Sequence, residues 1–189
     1  MSGQRPYERK ITDEQRATIT AQKLFFVATA GPDGPISLSP RGHDCLRILD
    51  ERRVAWVDYP GSGNETAECL READRVTLLF CDFEGTAYTV RVFGRGRAVL
   101  PADEEFAALL AEMGIAPDPI IRQVFVVDVL LTSNSCGGGV PVFRFDHEGL
   151  LQTKWTKVSD AGKLSEVRER VAAPRPRDVL DGAAGYDVD

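Results

Sequence analysis

The 189-residue chain has an ordinary globular composition, with 43% hydrophobic and 28% charged residues and a formal net charge of −6. This length fits one domain with appendages, and the negative charge argues against a general nucleic-acid binder. No apolar run approaches the roughly 20 residues that a membrane-spanning helix needs, and the polar N-terminus lacks the apolar core of a secretory signal. We therefore expect a cytoplasmic protein with neither nucleic acid nor membrane among its partners.

The cysteines and histidines show no metal-binding pattern. The four cysteines include no C-x-x-C pair, and the chain has only two histidines, His43 and His147. We predict no metal site, and we expect small apolar thiols in a reducing compartment, with metal ligation or disulfides as the alternatives. Neither histidine adjoins a nucleophile motif, so no Ser–His–acid or Cys–His site is predicted.

The first third of the chain predicts one helix and one β-hairpin. The tetrapeptide Thr12-Asp13-Glu14-Gln15 resembles a capping box that starts a helix ending near Gln22. The apolar run 24–30 predicts a strand buried on both faces, and residues 36–39 continue the hairpin after a Gly-Pro-Asp-Gly turn. Pro40 should then break the ladder pairing, because proline has no N–H to donate.

The stretch 53–99 predicts a strand that leads into a short helix. Residues 54–57 form an apolar strand, and the turn Gly61-Ser62-Gly63 opens a helix over residues 64–73. Such a helix start has free backbone N–H groups that suit a phosphate. A dinucleotide site is disfavoured, because Thr66 replaces the third glycine of that fingerprint and no crossover helix follows.

Two interpretations of this turn remain open. It either binds a phosphate or is a plain capped turn, and the charges of Glu65 and Glu68 favour the second because they would repel a phosphate. The segment Ser39-Pro40-Arg41-Gly42 raises a similar choice, since its arginine either faces a ligand or is solvated on a hairpin bend. A bound phosphate needs compensating cations. The nearest candidates are Arg41, Arg47 and Arg53.

The second half of the chain predicts long strands and one clear helix. Residues 75–81 and 88–100 are strand-like with no helix between them, and Gly94 and Gly96 predict a bulge or a bend in the second strand. Residues 102–113 have apolar side chains at helical spacing, acids in the first turn and a glycine directly after the last turn.

The number and order of these elements indicate the fold class. Residues 123–131 and 140–145 are further strand candidates, joined by a glycine-rich run over 135–139 that either lets the chain turn or allows close approach to a ligand. Six or seven strands with mostly turn connections favour an antiparallel barrel over a doubly wound parallel sheet. The predicted segments are 1–22, an N-terminal arm and helix; 23–146, the barrel domain; and 147–189, a C-terminal extension.

A resemblance to a known family lies in the order and spacing of five segments: SLSPRG, VAWVD, GSGNETAECL, RVTLLF and VRVFGRGRAV. Together they resemble the pyridoxamine 5′-phosphate oxidase-like family of FMN-binding split barrels, over roughly residues 20–145. The resemblance implies a mainly β (α+β) fold, an antiparallel six-stranded split β-barrel with flanking helices. It also implies a homodimer with FMN at the subunit interface.

The resemblance further implies where the flavin binds. In this family the phosphate typically meets a basic residue on the second strand, the turn after the third strand and the start of the next helix. A polar residue on a long fifth strand often contacts the flavin. Pyridoxamine phosphate oxidases usually carry an Arg-Lys pair at that helix start, where this chain has Glu65-Thr66. Carried over by position, the cofactor-binding candidates are Ser39, Arg41, Val57, Asp58, Ser62, Gly63, Asn64, Thr66 and Thr89.

The implied activity is that of an FMN-dependent oxidoreductase acting on a small organic substrate. No catalytic triad is required for this activity, because the cofactor carries the chemistry and the protein orients it. A non-catalytic flavin-binding or sensing protein and a deazaflavin-dependent reductase are the alternatives. The sequence identifies no catalytic residue.

Overall fold

The computed structural model describes residues 7–60, 63–85 and 88–147, which form three helices and seven strands. The helices are α1 (Asp13–Ala21), α2 (Glu65–Glu72) and α3 (Phe106–Glu112). The strands are β1 (Phe25–Thr29), β2 (Ser37–Arg41), β3 (Leu46–Asp50), β4 (Arg53–Asp58), β5 (Arg75–Cys81), β6 (Tyr88–Val99) and β7 (Gln123–Cys136). No helix within these ranges is long and apolar enough to cross a membrane.

The strands pair in one antiparallel sheet of order β2-β1-β5-β6-β7-β4-β3. Its edge strands, β2 and β3, are joined by residues 42–45 alone. This connection spans at most about 18 Å, whereas a flat sheet of this width would separate its edges by about 29 Å. The sheet must therefore curl until its edges approach. The predicted split barrel is confirmed, with seven strands instead of six among the described residues, because β2 and β3 are separate edge strands.

Aromatic side chains fill the interior of the curled sheet. The rings of Trp56 and Phe125 stack with centroids 4.8 Å apart, and Phe25 meets Trp56 edge-on at 6.0 Å. Phe25 also stacks on Phe80 at 5.5 Å. These contacts join β1 and β5 to β4 and β7 across the interior, which a flat sheet could not do. Burying each such side chain contributes roughly 1.5–3 kcal/mol.

Several local predictions are confirmed in detail. Thr12 caps α1, since its Oγ1 accepts the N–H of Gln15 at 3.2 Å while the Gln15 side chain accepts the N–H of Thr12 at 3.0 Å. Strand β5 has the predicted bounds, and among the described residues no helix lies between it and β6. Gly114 adopts a φ of 65° after α3, which explains why the helix ends there. Trp56 is fully buried as a packing residue.

Two predictions near the N-terminus were wrong. Strand β1 buries one face, with Phe26 and Ala28 only half-buried on the other. Pro40 does not break the pairing, since it lies inside β2 opposite Phe26. The missing N–H of Pro40 is tolerated because β2 is an edge strand, which pairs on one side only.

Three predictions further along the chain also need correction. Helix α3 begins at Phe106 instead of 102, because the Asp103 carboxylate accepts the N–H of Leu100 at 2.7 Å and holds a turn there. Strand β7 runs on through Cys136, so the predicted hinge begins later. Residues 140–145 form no strand. The N–H of Phe143 donates to the carbonyl of Phe83 at 2.8 Å, but no ladder develops around this bond.

Gly94 lies at the predicted bulge, where the β6–β7 register shifts. A Cβ at this position would overlap the carbonyl oxygen of Asp128, a backbone atom that cannot move away without breaking the ladder. We expect Gly94→Ala to lower the free energy of unfolding by about 1–3 kcal/mol, measured by urea denaturation. Gly139→Ala is the matched control, because a Cβ there meets nothing within 4 Å. Equal stability of the two variants would contradict this account of the bulge.

Candidate functional site

Asp58, the last residue of β4, is the centre of a buried polar network. Its side chain is 5% exposed. The carboxylate accepts hydrogen bonds from Arg122 Nε at 2.8 Å and from Gln123 Nε2 at 2.9 Å, and Arg122 Nη2 lies 2.6 Å from the same oxygen. Asp58 and Gln123 are opposite each other in the β4–β7 ladder, which brings these groups together. The network therefore fixes the end of β4 to the start of β7.

The same network holds the start of α2. Arg122 Nη1 donates to the carbonyl oxygen of Gly63 at 2.9 Å, and Gln123 Nε2 donates to Asn64 Oδ1 at 2.7 Å. Asn64 is the N-cap residue of α2, but its side chain makes no capping hydrogen bond. Its amide oxygen is already engaged by Gln123, so the N–H groups of the first turn are not capped by Asn64.

Arg41, the last residue of β2, reaches this helix start from the opposite edge of the sheet. Its Nη2 lies 3.4 Å from Thr66 Oγ1, and its Nε lies 3.9 Å from Asp58 Oδ1. The buried Nε has no hydrogen-bond partner among the described residues. Since Arg122 already pairs closely with Asp58, Arg41 keeps donor capacity that these residues do not use. A buried donor left unpaired is costly, which points to an acceptor supplied by a ligand.

Glu65, the first residue of α2, brings a negative charge to the same helix end. A Cβ at Gly63 would overlap both carboxylate oxygens of Glu65, so the carboxylate lies against the Gly63 backbone. Anions are favourable at a helix N-terminus. The Glu65 carboxylate would therefore compete with a phosphate for this position.

Only one of the three predicted cations reaches α2. Arg41 contacts Thr66, whereas Arg47 donates to both carboxylate oxygens of Asp44, at 2.9 and 3.1 Å. Arg53 pairs with Glu112 on the C-terminal turn of α3. The structure therefore does not bring Arg47 or Arg53 to the start of α2, since Arg47 pairs with Asp44 three residues earlier in the chain and Arg53 pairs with Glu112 on α3.

The other predicted site residues fall into two places. Ser39 lies two residues before Arg41 on the same half-buried face of β2. Val57 precedes Asp58, and its N–H donates to the carbonyl of Cys45 at 3.0 Å. Gly63, Asn64 and Thr66 lie at the start of α2, and Ser62 is outside the described residues.

Thr89 does not join this group within one chain. It lies on β6, which β1 and β5 separate from β2. Its hydroxyl shares a hydrogen bond of 2.5 Å with the hydroxyl of Ser135, which also accepts from Arg91 Nη1 at 2.7 Å. Thr89 and its partners thus form a separate polar cluster.

The sequence reasoning missed Arg122 and Gln123, which hold the site together. Both are long polar side chains directly before the apolar run Val124–Val127, and Gln123 is 1% exposed. A polar pair at the very start of a buried strand was the available signal, since buried polar groups need partners.

Comparisons with known proteins concern the family and the fold. A family model described as pyridoxamine 5′-phosphate oxidase matches residues 11–135. The chain belongs to the pyridoxamine 5′-phosphate oxidase family. A similar curated relative is the pyridoxamine 5′-phosphate oxidase family protein ustO of Aspergillus flavus, 34% identical over 139 residues. The match covers 72% of this chain and 56% of ustO, so the chain spans little more than half the length of this relative.

Solved structures share the fold of this family member at low sequence identity. A protein described as a putative pyridoxamine 5′-phosphate oxidase from Lactobacillus delbrueckii superposes with a TM-score of 0.56 at 18% identity, covering 69% of this chain and 99% of that one. HupZ from Group A Streptococcus gives a TM-score of 0.52 at 20% identity, covering 66% and 93%. At these identities the likeness concerns the fold alone.

The donors around α2 suit a phosphate group. The unpaired Nε of Arg41, the hydroxyl of Thr66 and the backbone N–H groups of the first turn of α2 are all donors. This set suits an anionic oxygen acceptor. Two carboxylates lie near these donors: Asp58 is held by Arg122 and Gln123, and Glu65 lies against the Gly63 backbone.

The cysteines differ sharply in their surroundings. Burial raises the pKa of the Cys45 thiol from 9.0 to about 12, although the nearby Arg41 lowers it in part. All four cysteines are unpaired, and Cys136 is exposed. Cys45 is 4% exposed, so its thiol stays neutral and covered at ordinary pH.

At pH 8 we expect iodoacetamide to alkylate Cys136 in the folded protein while Cys45 remains unmodified until the protein is unfolded. The thiolate is the reactive form, and burial suppresses both ionisation and access at Cys45. Because the pKa of Cys45 is raised, its thiol should stay protonated, and therefore unreactive, above pH 9. This protection should weaken only as the pH approaches 12. Peptide mass spectrometry would measure both rates, and equal labelling of the two residues in folded protein would contradict the prediction.

Proposed function

We propose that this protein is an FMN-dependent oxidoreductase of the pyridoxamine 5′-phosphate oxidase family that acts on a small organic substrate. The observation that carries the proposal is Arg41, whose buried Nε lacks an acceptor among the described residues and lies beside a helix start that Asn64 does not cap. Family membership supplies the class of ligand, and the donor set supports a phosphate at this place.

Each predicted site residue has a role in this proposal. Arg41, Thr66 and the first turn of α2, with Ser62, Gly63 and Asn64, hold the phosphate, and Ser39 lies beside it on β2. Val57 and Asp58 flank the flavin at the end of β4. Arg122 and Gln123 are positioning residues, since they fix Asp58, Gly63 and Asn64 in place.

The bound flavin would supply the hydride exchange with the substrate. The chain's own task is to bind and orient. The rigid β4 and β7 ends and the start of α2 hold the ligand, and the Asp58 network keeps that framework in one geometry. No nucleophilic side chain is required.

An absorption spectrum of the purified protein, with the released cofactor identified by mass, tests the binding half of the proposal. We expect the absorption bands that give flavins their yellow colour, and a released cofactor with the mass of FMN. A released cofactor with the mass of a deazaflavin would instead assign the protein to the deazaflavin alternative. Anaerobic reduction by NADH or NADPH then tests turnover. A protein that binds no flavin when FMN is added would overturn the proposal.

A second candidate, a flavin-binding or sensing protein without turnover, is favoured by the state of Asp58. This carboxylate lies 3.9 Å from Arg41, and three donor atoms from Arg122 and Gln123 contact its Oδ2. Its contacts therefore serve the framework of the site, and no role in turnover is assigned to it. Bound yellow flavin that no nicotinamide donor reduces would support this candidate.

The homodimer implied by the family is part of the same proposal, together with a cytoplasmic location and a flavin-binding domain over residues 23–146. The outward face of the sheet supports the homodimer. Leu79 and Phe93 are half-buried there, on neighbouring strands, while their sequence neighbours Leu78 and Val92 are fully buried inside. Thr89 lies on this outward side too, where a partner's flavin could approach it.

We expect a dimer by light scattering at micromolar concentration, and Leu79→Glu should convert it to a monomer because a charge would be buried in the contact. Leu100→Glu is the matched control, since Leu100 is 48% exposed beyond the end of β6. A monomeric mass for the unaltered protein would contradict the dimer, and a dimeric Leu79→Glu variant would contradict this choice of face.

A further inference from the structure

We propose that a cavity between α1 and the β2–β3 turn binds a small amphipathic anion, an apolar ring or chain that carries a carboxylate or sulfonate. The cavity has a volume of about 370 Å³. This lies within the range of roughly 300–1,000 Å³ that small-molecule sites occupy. The site is separate from the proposed flavin site and does not depend on it.

The floor of this cavity, which we call the α1 cavity, is apolar. Ile19 of α1, Phe25 of β1 and Phe80 of β5 line it, and none is more than 5% exposed. Cys45 completes the floor with a thiol that burial keeps neutral. The floor therefore provides contacts for an apolar body and no charge that would repel one.

The rim of the α1 cavity is cationic. Arg16 and Lys23 line it and form no ion pair with any described residue, whereas Arg47 is neutralised by Asp44 at 2.9 Å. Two uncompensated positive charges thus face a cavity with an apolar floor. A ligand with an apolar body and one anionic group matches both features, whereas a neutral ligand uses only the floor.

The α1 cavity and the flavin site share a turn but not their residues. Gly42 and Cys45 adjoin the cavity, yet Arg41, Asn64 and Thr66 do not line it. The lining of the α1 cavity therefore excludes the residues proposed to hold the phosphate.

The test uses naphthalene sulfonate as the anionic probe and naphthalene methanol as the neutral one, titrated by calorimetry at low ionic strength. We expect naphthalene sulfonate to bind with one-to-one stoichiometry and more tightly than the neutral probe. In the double variant Arg16→Glu, Lys23→Glu, the affinity for the sulfonate should fall at least tenfold, while that for the neutral probe changes less than twofold.

The matched control is the double variant Arg9→Glu, Arg52→Glu, which makes the same change in net charge at exposed positions away from the cavity. Its affinity for the sulfonate should stay within twofold, and thermal unfolding of both double variants confirms that they fold. Equal losses in the two double variants, or no saturable binding, would overturn the proposal. Displacement of the sulfonate by FMN would also overturn it, since the cavity would then belong to the flavin.

Discussion

Replacing Asp58 by alanine should lower the free energy of unfolding by about 3–5 kcal/mol, the effect expected when one partner of a buried ion pair is removed. The Arg122 side chain is 14% exposed and would keep its charge with no carboxylate beside it. Gln123 would lose one of its two acceptors. Urea denaturation at neutral pH measures the change.

Asp50→Ala is the control for this variant. Asp50 pairs with Arg53 at 3.3 Å, but its side chain is 51% exposed, so its removal should cost less than about 1 kcal/mol. The double variant Asp58→Ala, Arg122→Ala should recover part of the loss, because no unpaired charge then remains. A loss below about 1 kcal/mol for Asp58→Ala would show that the network does not anchor β4, β7 and α2 as described.

Replacing Arg41 by alanine should weaken FMN binding by about 1–3 kcal/mol, which corresponds to a dissociation constant roughly 5–150 times higher. Arg41 is the cation beside the start of α2 that no carboxylate holds closely, so the charge-assisted contact with a phosphate depends on it. A titration that follows flavin fluorescence measures the change.

Two further variants separate this role from a general effect of charge. Arg53→Ala removes an equal charge from a side chain paired with Glu112 and should leave FMN affinity within about twofold. Glu65→Gln should tighten FMN binding, because the carboxylate that lies against the Gly63 backbone repels a phosphate. An unchanged dissociation constant in Arg41→Ala would remove Arg41 from the site.

Local sequence determined the elements that need only their own residues. The capping box at Thr12 required four consecutive residues, and the bounds of β5 followed from one apolar run ended by polar residues. Gly94 marked the bulge because a side chain there would meet the neighbouring strand. The order of such segments was also sufficient to indicate the family and the antiparallel barrel.

Tertiary structure decided the site, because its contacts join residues far apart in the chain. Arg122 lies 64 positions from Asp58, and only the β4–β7 ladder makes them neighbours. Three arginines were candidates for balancing a phosphate, and of these the tertiary structure brings Arg41 to α2, while Arg47 pairs with Asp44 and Arg53 with Glu112. The local sequence pattern determines on which face of its strand a side chain lies. Strand register and the curl of the sheet determine which charged groups that side chain contacts.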